Sequence, residues 1–322
     1  MWWARTWVAC AVLAGCLPAA DTLLIVNKEG ALAMVDPATR QVLGRVPTGA
    51  APHEVAASAD GRLAFVSNYG SATTPGNSIS VIDVAARKET QRVDLGPLRR
   101  PHGLDFAGGK LYITCEANKA VARYDPATNQ VDWLMGTGQN TTHMVRVSAD
   151  LNHLFTANIG SGSISLFDRV GAIDWNQTVV AVGKGPEGFD ITPDGKELWT
   201  ATSQDGGVSI VNLADKRVTK TFNVQTKRSN RLRFTPDGRL VLISDLDGGE
   251  LVVLERDTLK VLKRMALGRQ PAGILIDPTG ALAYVAVTGD NFVAVIDLKT
   301  LELAARIVAG TGPDGMAWAA GE

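Results

Sequence analysis

The chain has 322 residues, with 32 Lys and Arg against 33 Asp and Glu, a formal net charge of −1. That balance argues against a dedicated nucleic-acid binder, whose phosphate contacts need a basic excess. Hydrophobic residues make up 45% and charged residues 20%, which excludes a disordered chain. Of three cysteines, Cys10 and Cys16 lie in the apolar N-terminus and only Cys115 in the body, so no disulfide framework forms within a mature chain.

Residues 1–20 read as a leader. Arg5 precedes an apolar run, 7–13, that is too short to span a bilayer. Two cleavage readings compete. Leu13-Ala14-Gly15-Cys16 resembles a bacterial lipobox, in which Cys16 becomes the lipidated first residue. The alternative is plain secretion with cleavage near Ala20, and an uncleaved anchor is a third. The protein is expected to be exported: periplasmic, or, on the lipobox reading, anchored to the outer membrane as a lipoprotein. Any membrane contact is expected only through that anchor.

The body, 21–322, is one unit repeated. One series is a strand ending in a turn, as in Met34-Val35-Asp36-Pro37, Val81-Ile82-Asp83, Tyr124-Asp125-Pro126 and Val295-Ile296-Asp297. Another is the tight turn Ala59-Asp60-Gly61, Pro193-Asp194-Gly195, Pro236-Asp237-Gly238 and Pro278-Thr279-Gly280. Gly accepts positive φ, Pro presets φ and Asp bonds its own backbone, so these are turn signals with a mechanism. The β-branched and aromatic runs between them predict short strands.

Each unit is read as four strands, A to D outward from an axis. Equivalent positions at the entry to strand A are His53, His102, His143, Glu187, Asn230, Ala272 and Asp314, spaced by 49, 41, 44, 43, 42 and 42 residues. That is the four-strand period of a propeller blade. The predicted fold is all-β: a seven-bladed β-propeller of four-stranded antiparallel blades. The chain starts with strands B to D and ends with a strand A, so the N- and C-terminal strands share a blade and close the ring. A monomer is expected.

The units resemble the YVTN-type seven-bladed propeller repeat of bacterial cell-envelope proteins. The resemblance is carried by Phe65-Val66-Ser67-Asn68, Tyr112-Ile113-Thr114-Cys115 and Leu154-Phe155-Thr156-Ala157-Asn158, by the Val-Ile-Asp strands and by the Pro-Asp-Gly turns. It covers residues 23–319. It implies the propeller fold and an interaction module at the cell surface or in the periplasm, but it assigns no catalytic residue, because the motif is structural.

Three of the four histidines, His53, His102 and His143, fall at one blade position in consecutive blades. Strand alternation places that position at the mouth of the central channel on the face of the D-to-A and B-to-C loops, called the top. Glu187 stands beside them, and Asn68, Tyr69, Glu116 and Asn158 lie nearby in the B-to-C region. Convergent imidazoles with Glu187, or Glu116, suit a divalent ion of Zn, Mn, Fe, Ni or Cu. A metal-free polar pocket and simple loop-capping histidines stay open beside that reading. Asn230, Arg231 and Asp314 complete the candidate ligand-binding set.

Asp105, Arg146, Asp190 and Arg233 share a second equivalent position and alternate in sign. They are expected to form salt bridges between blades; a role for Arg146 or Arg233 in holding a substrate carboxylate is the alternative. Cys115 is expected to be a buried strand residue, and His153 a surface residue of the opposite face.

Two functions follow. One is an envelope binding module that holds a small molecule or protein partner at its top face. The other is a metal-dependent hydrolase or lyase, with Glu187, Glu116 or a His moving the proton and Arg146 among the groups orienting a substrate carboxylate. Propellers similar in architecture include lactonases, and Ala51-Pro52-His53 and Ser67-Asn68-Tyr69-Gly70 resemble lactonase-type segments.

Overall fold

The computed structural model describes residues 20–171 and 174–321. The leader reading, with Cys16, lies outside the described residues. Among those described, no helix is long and apolar enough to cross a membrane.

Seven four-stranded antiparallel sheets form the molecule. Blades 2 to 7 each use consecutive strands. Their innermost strands are Pro52–Ala57, Pro101–Ala107, Thr142–Val147, Pro186–Ile191, Ser229–Phe234 and Pro271–Ile276. Blade 1 is composite. The C-terminal strand Pro313–Ala319 pairs with the N-terminal strand Thr22–Asn27, with Leu23 opposite Trp318 and Ile25 opposite Met316. The predicted count, strand order and shared closing blade are all present. The shared blade leaves no open sheet edge at the seam.

The core lies between blades. Strand B residues such as Phe65, Ile113, Leu198, Ile243 and Val285 are buried against the neighbouring sheet. The upper alternate residues of strand A behave as the two-residue period requires: Val55, Val145, Phe189, Leu232 and Ile274 are buried. The lower ones differ. Phe234 is buried, but Phe106 and Trp318 are only partly buried and line the lower part of the channel, as does the partly buried upper residue Met316.

One irregularity recurs in all seven innermost strands. Pairing slips near the top of each, as between Pro52 and Val55, Pro101 and Leu104, Thr142 and Met144, and Pro186 and Gly188. The others slip between Ser229 and Leu232, Pro271 and Ile274, and opposite Ile25 to Asn27. A bulge inserts an extra residue, bends the strand and re-aims side chains. Each bulge spans the blade position that carries His53, His102, His143, Glu187, Asn230, Ala272 or Asp314.

Bulging leaves backbone groups without ladder partners, and hydroxyls on strand B take them. Ser67, Thr114 and Ser244 accept from the amides of Glu54, Gly103 and Arg231 at 3.1, 2.7 and 3.0 Å. Two of these hydroxyls also donate to the next blade. Thr114 reaches the His143 carbonyl at 2.6 Å, and Ser244 reaches that of Ala272 at 2.7 Å.

Candidate functional site at the channel mouth

The three imidazoles form a row across blades 2, 3 and 4. Ring centroids are 5.0 Å apart for His53 and His102 and 3.8 Å for His102 and His143. Tyr69, at the end of strand B in blade 2, closes over them, 4.6 Å from the His53 ring. Arg100 stacks on the Tyr69 ring at 5.6 Å.

Glu116 opens a single 3-10 turn, Glu116–Asn118, directly after strand B of blade 3. Its Oε1 lies 2.5 Å from Nδ1 of His143, and its Oε2 accepts the Tyr69 hydroxyl at 2.6 Å. Burial alone would raise the Glu116 pKa, but the bonds from His143 and Tyr69 outweigh it and hold the carboxyl below its ordinary value. Burial, then the bond to Glu116, pushes the Tyr69 phenol well above its usual value. An ionised carboxylate only accepts, so Nδ1 is the His143 nitrogen that donates to Glu116, and Nε2 is the nitrogen left over. That Nε2 is buried without a hydrogen-bond partner, 3.9 Å from Oε1 of Glu187.

His102 is 3% exposed, and its Nδ1 also lacks a partner. Burial, reinforced by the charges of His143 and His53, lowers its pKa well below 6.5, so the ring stays neutral. One ligand atom each of His102, Glu116 and His143 lies within 4.8 Å of the others. Among the described residues, this is the group compact enough to hold an ion.

The other candidates are placed differently. His53 turns to Asp314, with Nδ1 3.3 Å from Oδ2, and Lys28 reaches the same oxygen at 3.1 Å. Burial would raise the Asp314 carboxyl, but Lys28, His53 and Arg231 hold it well below the usual carboxylate range. Glu187 accepts from Nδ2 of Asn230 at 2.6 Å. The structure therefore joins Glu116, rather than His53 or Glu187, to His102 and His143. Asn68 and Asn158 are not brought to the cluster. The Asn68 amide bonds Gly49, Ser78 and Ser80, and that of Asn158 bonds Thr156, Ser163 and Ser165. Their amides are consumed inside the sheets, so they fix strand ends instead of facing a ligand.

Below the mouth, Arg146 lies between two acids, 3.4 Å from Asp105 and 3.9 Å from Asp190. Its expected place in an inter-blade pair is met, and it is not part of the cluster above. Arg233 departs from the expected alternation. The oxygens of Asp190 accept from the amides of Ile191 and Phe234, and Arg233 Nη1 donates to the carbonyls of Phe189 and Leu232. Cys115 is fully buried, and burial pushes its thiol up to about 12. His153 lies at the surface beside Asp168 at 2.9 Å.

The sequence reading missed Glu54. The side chains of Glu54 and Arg231 meet in a buried ion pair that joins blade 2 to blade 6 across the channel. A signal for it exists. The residue after the ring position is Gly103, Gly188, Gly273 or Gly315 in four blades. A Cβ there would lie 2.5 Å from the His143 carbonyl at Gly103 and 2.6 Å from the His53 carbonyl at Gly315. Glu54, Met144 and Arg231 are the exceptions, and two of them carry opposite charge.

The fold and cluster define a seven-bladed propeller with a polar mouth at the top of its channel. The chain belongs to the lactonase family of seven-bladed β-propellers, whose family model matches residues 17–304. Solved structures similar to it include hydrazine synthase of Kuenenia stuttgartiensis, with TM-score 0.71, 21% identity and coverage of 82% of this chain and 88% of that one. A candidate 6-phosphogluconolactonase from Bacteroides fragilis has TM-score 0.76, 17% identity and coverage of 93% and 98%. A Lactobacillus plantarum protein has TM-score 0.77, 14% identity and coverage of 93% and 99%. At these identities the likeness is one of fold. No curated protein matches the chain.

Proposed function

We propose that the protein is a lactone hydrolase acting at the top of the channel. The observation that carries this reading is the free, buried Nε2 of His143, backed through Nδ1 by Glu116, in a chain of the lactonase family. His143 takes a proton from water as that water attacks the lactone carbonyl. Glu116, oriented by Tyr69, steadies the imidazolium that forms. The Nδ1–H tautomer of His102 donates to the developing oxyanion. The ring C–O bond then breaks, and the leaving alkoxide recovers the proton from His143. The product is a hydroxy-carboxylate.

Hydrolysis of a lactone panel at constant pH tests this. His143→Ala should lower kcat by about 10²–10⁴-fold, and Glu116→Gln should lower it less. Wild-type protein that opens no lactone, or His143→Ala with unchanged turnover, would refute the reading.

A divalent ion held by His102, Glu116 and His143 is a second reading, favoured by the two unpartnered nitrogens and the compact donor set. Such an ion would polarise the carbonyl. Metal analysis after incubation with zinc should find stoichiometric metal in wild type and none in His102→Ala. Equal retention by both proteins would count against it.

A further inference from the structure

The Glu54–Arg231 pair divides the channel. Beneath it lies a partly open chamber of about 210 Å³. Its polar wall is made by Glu54, Asp105, Arg146, Arg233 and Trp318. The carboxylates there are already engaged. Glu54 binds Arg231, and Asp105 accepts from Arg146 at 3.4 Å and from the Val147 amide at 2.7 Å.

The donors are not matched in the same way. Arg233 has no carboxylate within salt-bridge distance among the described residues, and its hydrogen bonds go to backbone carbonyls at 3.1 and 3.3 Å. The indole N–H of Trp318 is buried with no acceptor. A buried donor without a partner loses its hydration uncompensated, and a guanidinium without a counter-charge loses more. Burial, then the charge of Arg146, lowers the Arg233 pKa to about 10, against the opposing pull of the Asp190 and Glu54 carboxylates. The rest of the wall is apolar, including Leu104, Phe189, Ile274 and Met316.

We propose that this lower chamber binds a small organic monocarboxylate. Arg233 and the Trp318 indole N–H take its carboxylate, and the apolar wall takes its carbon skeleton. A more highly charged oxyanion such as phosphate is disfavoured by Asp105 and Glu54 in the same wall. The site lies on the far side of the ion pair from His143, so it stands whether or not the mouth hydrolyses lactones.

The test is titration of protein labelled with ¹⁵N at its tryptophans, the Trp318 resonance being identified from Trp318→Phe. Propanoate should shift that resonance saturably and more tightly than acetate, and sodium chloride at matched ionic strength should not. Arg233→Lys, which keeps the charge and loses the fork, should weaken binding about tenfold. A second readout avoids the Arg233 variant: propanoate should raise the Tm of wild type more than that of Trp318→Phe. No saturable shift, an equal shift with chloride, tighter binding of phosphate or an equal Tm gain in both proteins would each overturn the proposal.

Discussion

His102 shows how burial sets the behaviour of one residue. Its folded-state pKa lies well below the ordinary 6.5, and burial is the main cause. As pH falls through 6.5, the unfolded chain takes up this proton and the folded chain does not. Stability must therefore rise with pH, by about 1.4 kcal/mol per pH unit for one proton. The contribution is fully present above the unfolded value and lost below it, down to the folded one. Urea melts of chelator-treated protein between pH 6.5 and 5 should be steeper in pH for wild type than for His102→Asn. Parallel curves would show that the ring is not held neutral. The histidine row was legible in the sequence because the repeat supplied a ruler: three of four histidines fell on one mark. Which carboxylate would join them was not legible. Glu116 and Glu187 are both close in blade terms, and the choice depends on a 3-10 turn and on whether Asn230 occupies the rival acid.

At the scale of the strand, the bulge at the head of every strand A is the device that makes the mouth. It turns the ring residues into the channel and strands backbone groups that strand B hydroxyls must satisfy. Thr114 serves two, the Gly103 amide and the His143 carbonyl. Thr114→Val keeps the shape and removes both bonds, so it should cost about 1–3 kcal/mol in a urea melt. Because one bond holds the His143 backbone, the proposed lactone hydrolysis should fall as well. A variant as stable as wild type would mean that the bulge does not need its hydroxyl. The strands were readable because turn chemistry and two-residue alternation agree along the chain. The bulges were not, since an extra residue in a ladder leaves no mark in hydropathy.

Across the whole molecule, the count of seven and the closing blade follow from where the first and last units are cut. The link between blades 2 and 6 does not, because it joins residues in different repeats with no common ruler. Glu54 and Arg231 are both buried, so losing one leaves the other charge unpaired. Glu54→Gln and Arg231→Leu should each cost about 3–5 kcal/mol, whereas replacing both with apolar residues should cost much less. Additive losses in a double-mutant cycle would show that the two do not act together. This pair has a mechanical consequence. It is a strut that divides the rim into two arcs. The seam between the chain ends lies in the arc through blades 7 and 1. The other arc, through blades 3, 4 and 5, carries His102, Glu116 and His143. If the terminal strand peels away, the strut still spans that second arc. Amide exchange should therefore be faster at Met316 than at Val145, and the strut variants should bring the two together. The ring can fray at its seam while its working mouth keeps its shape.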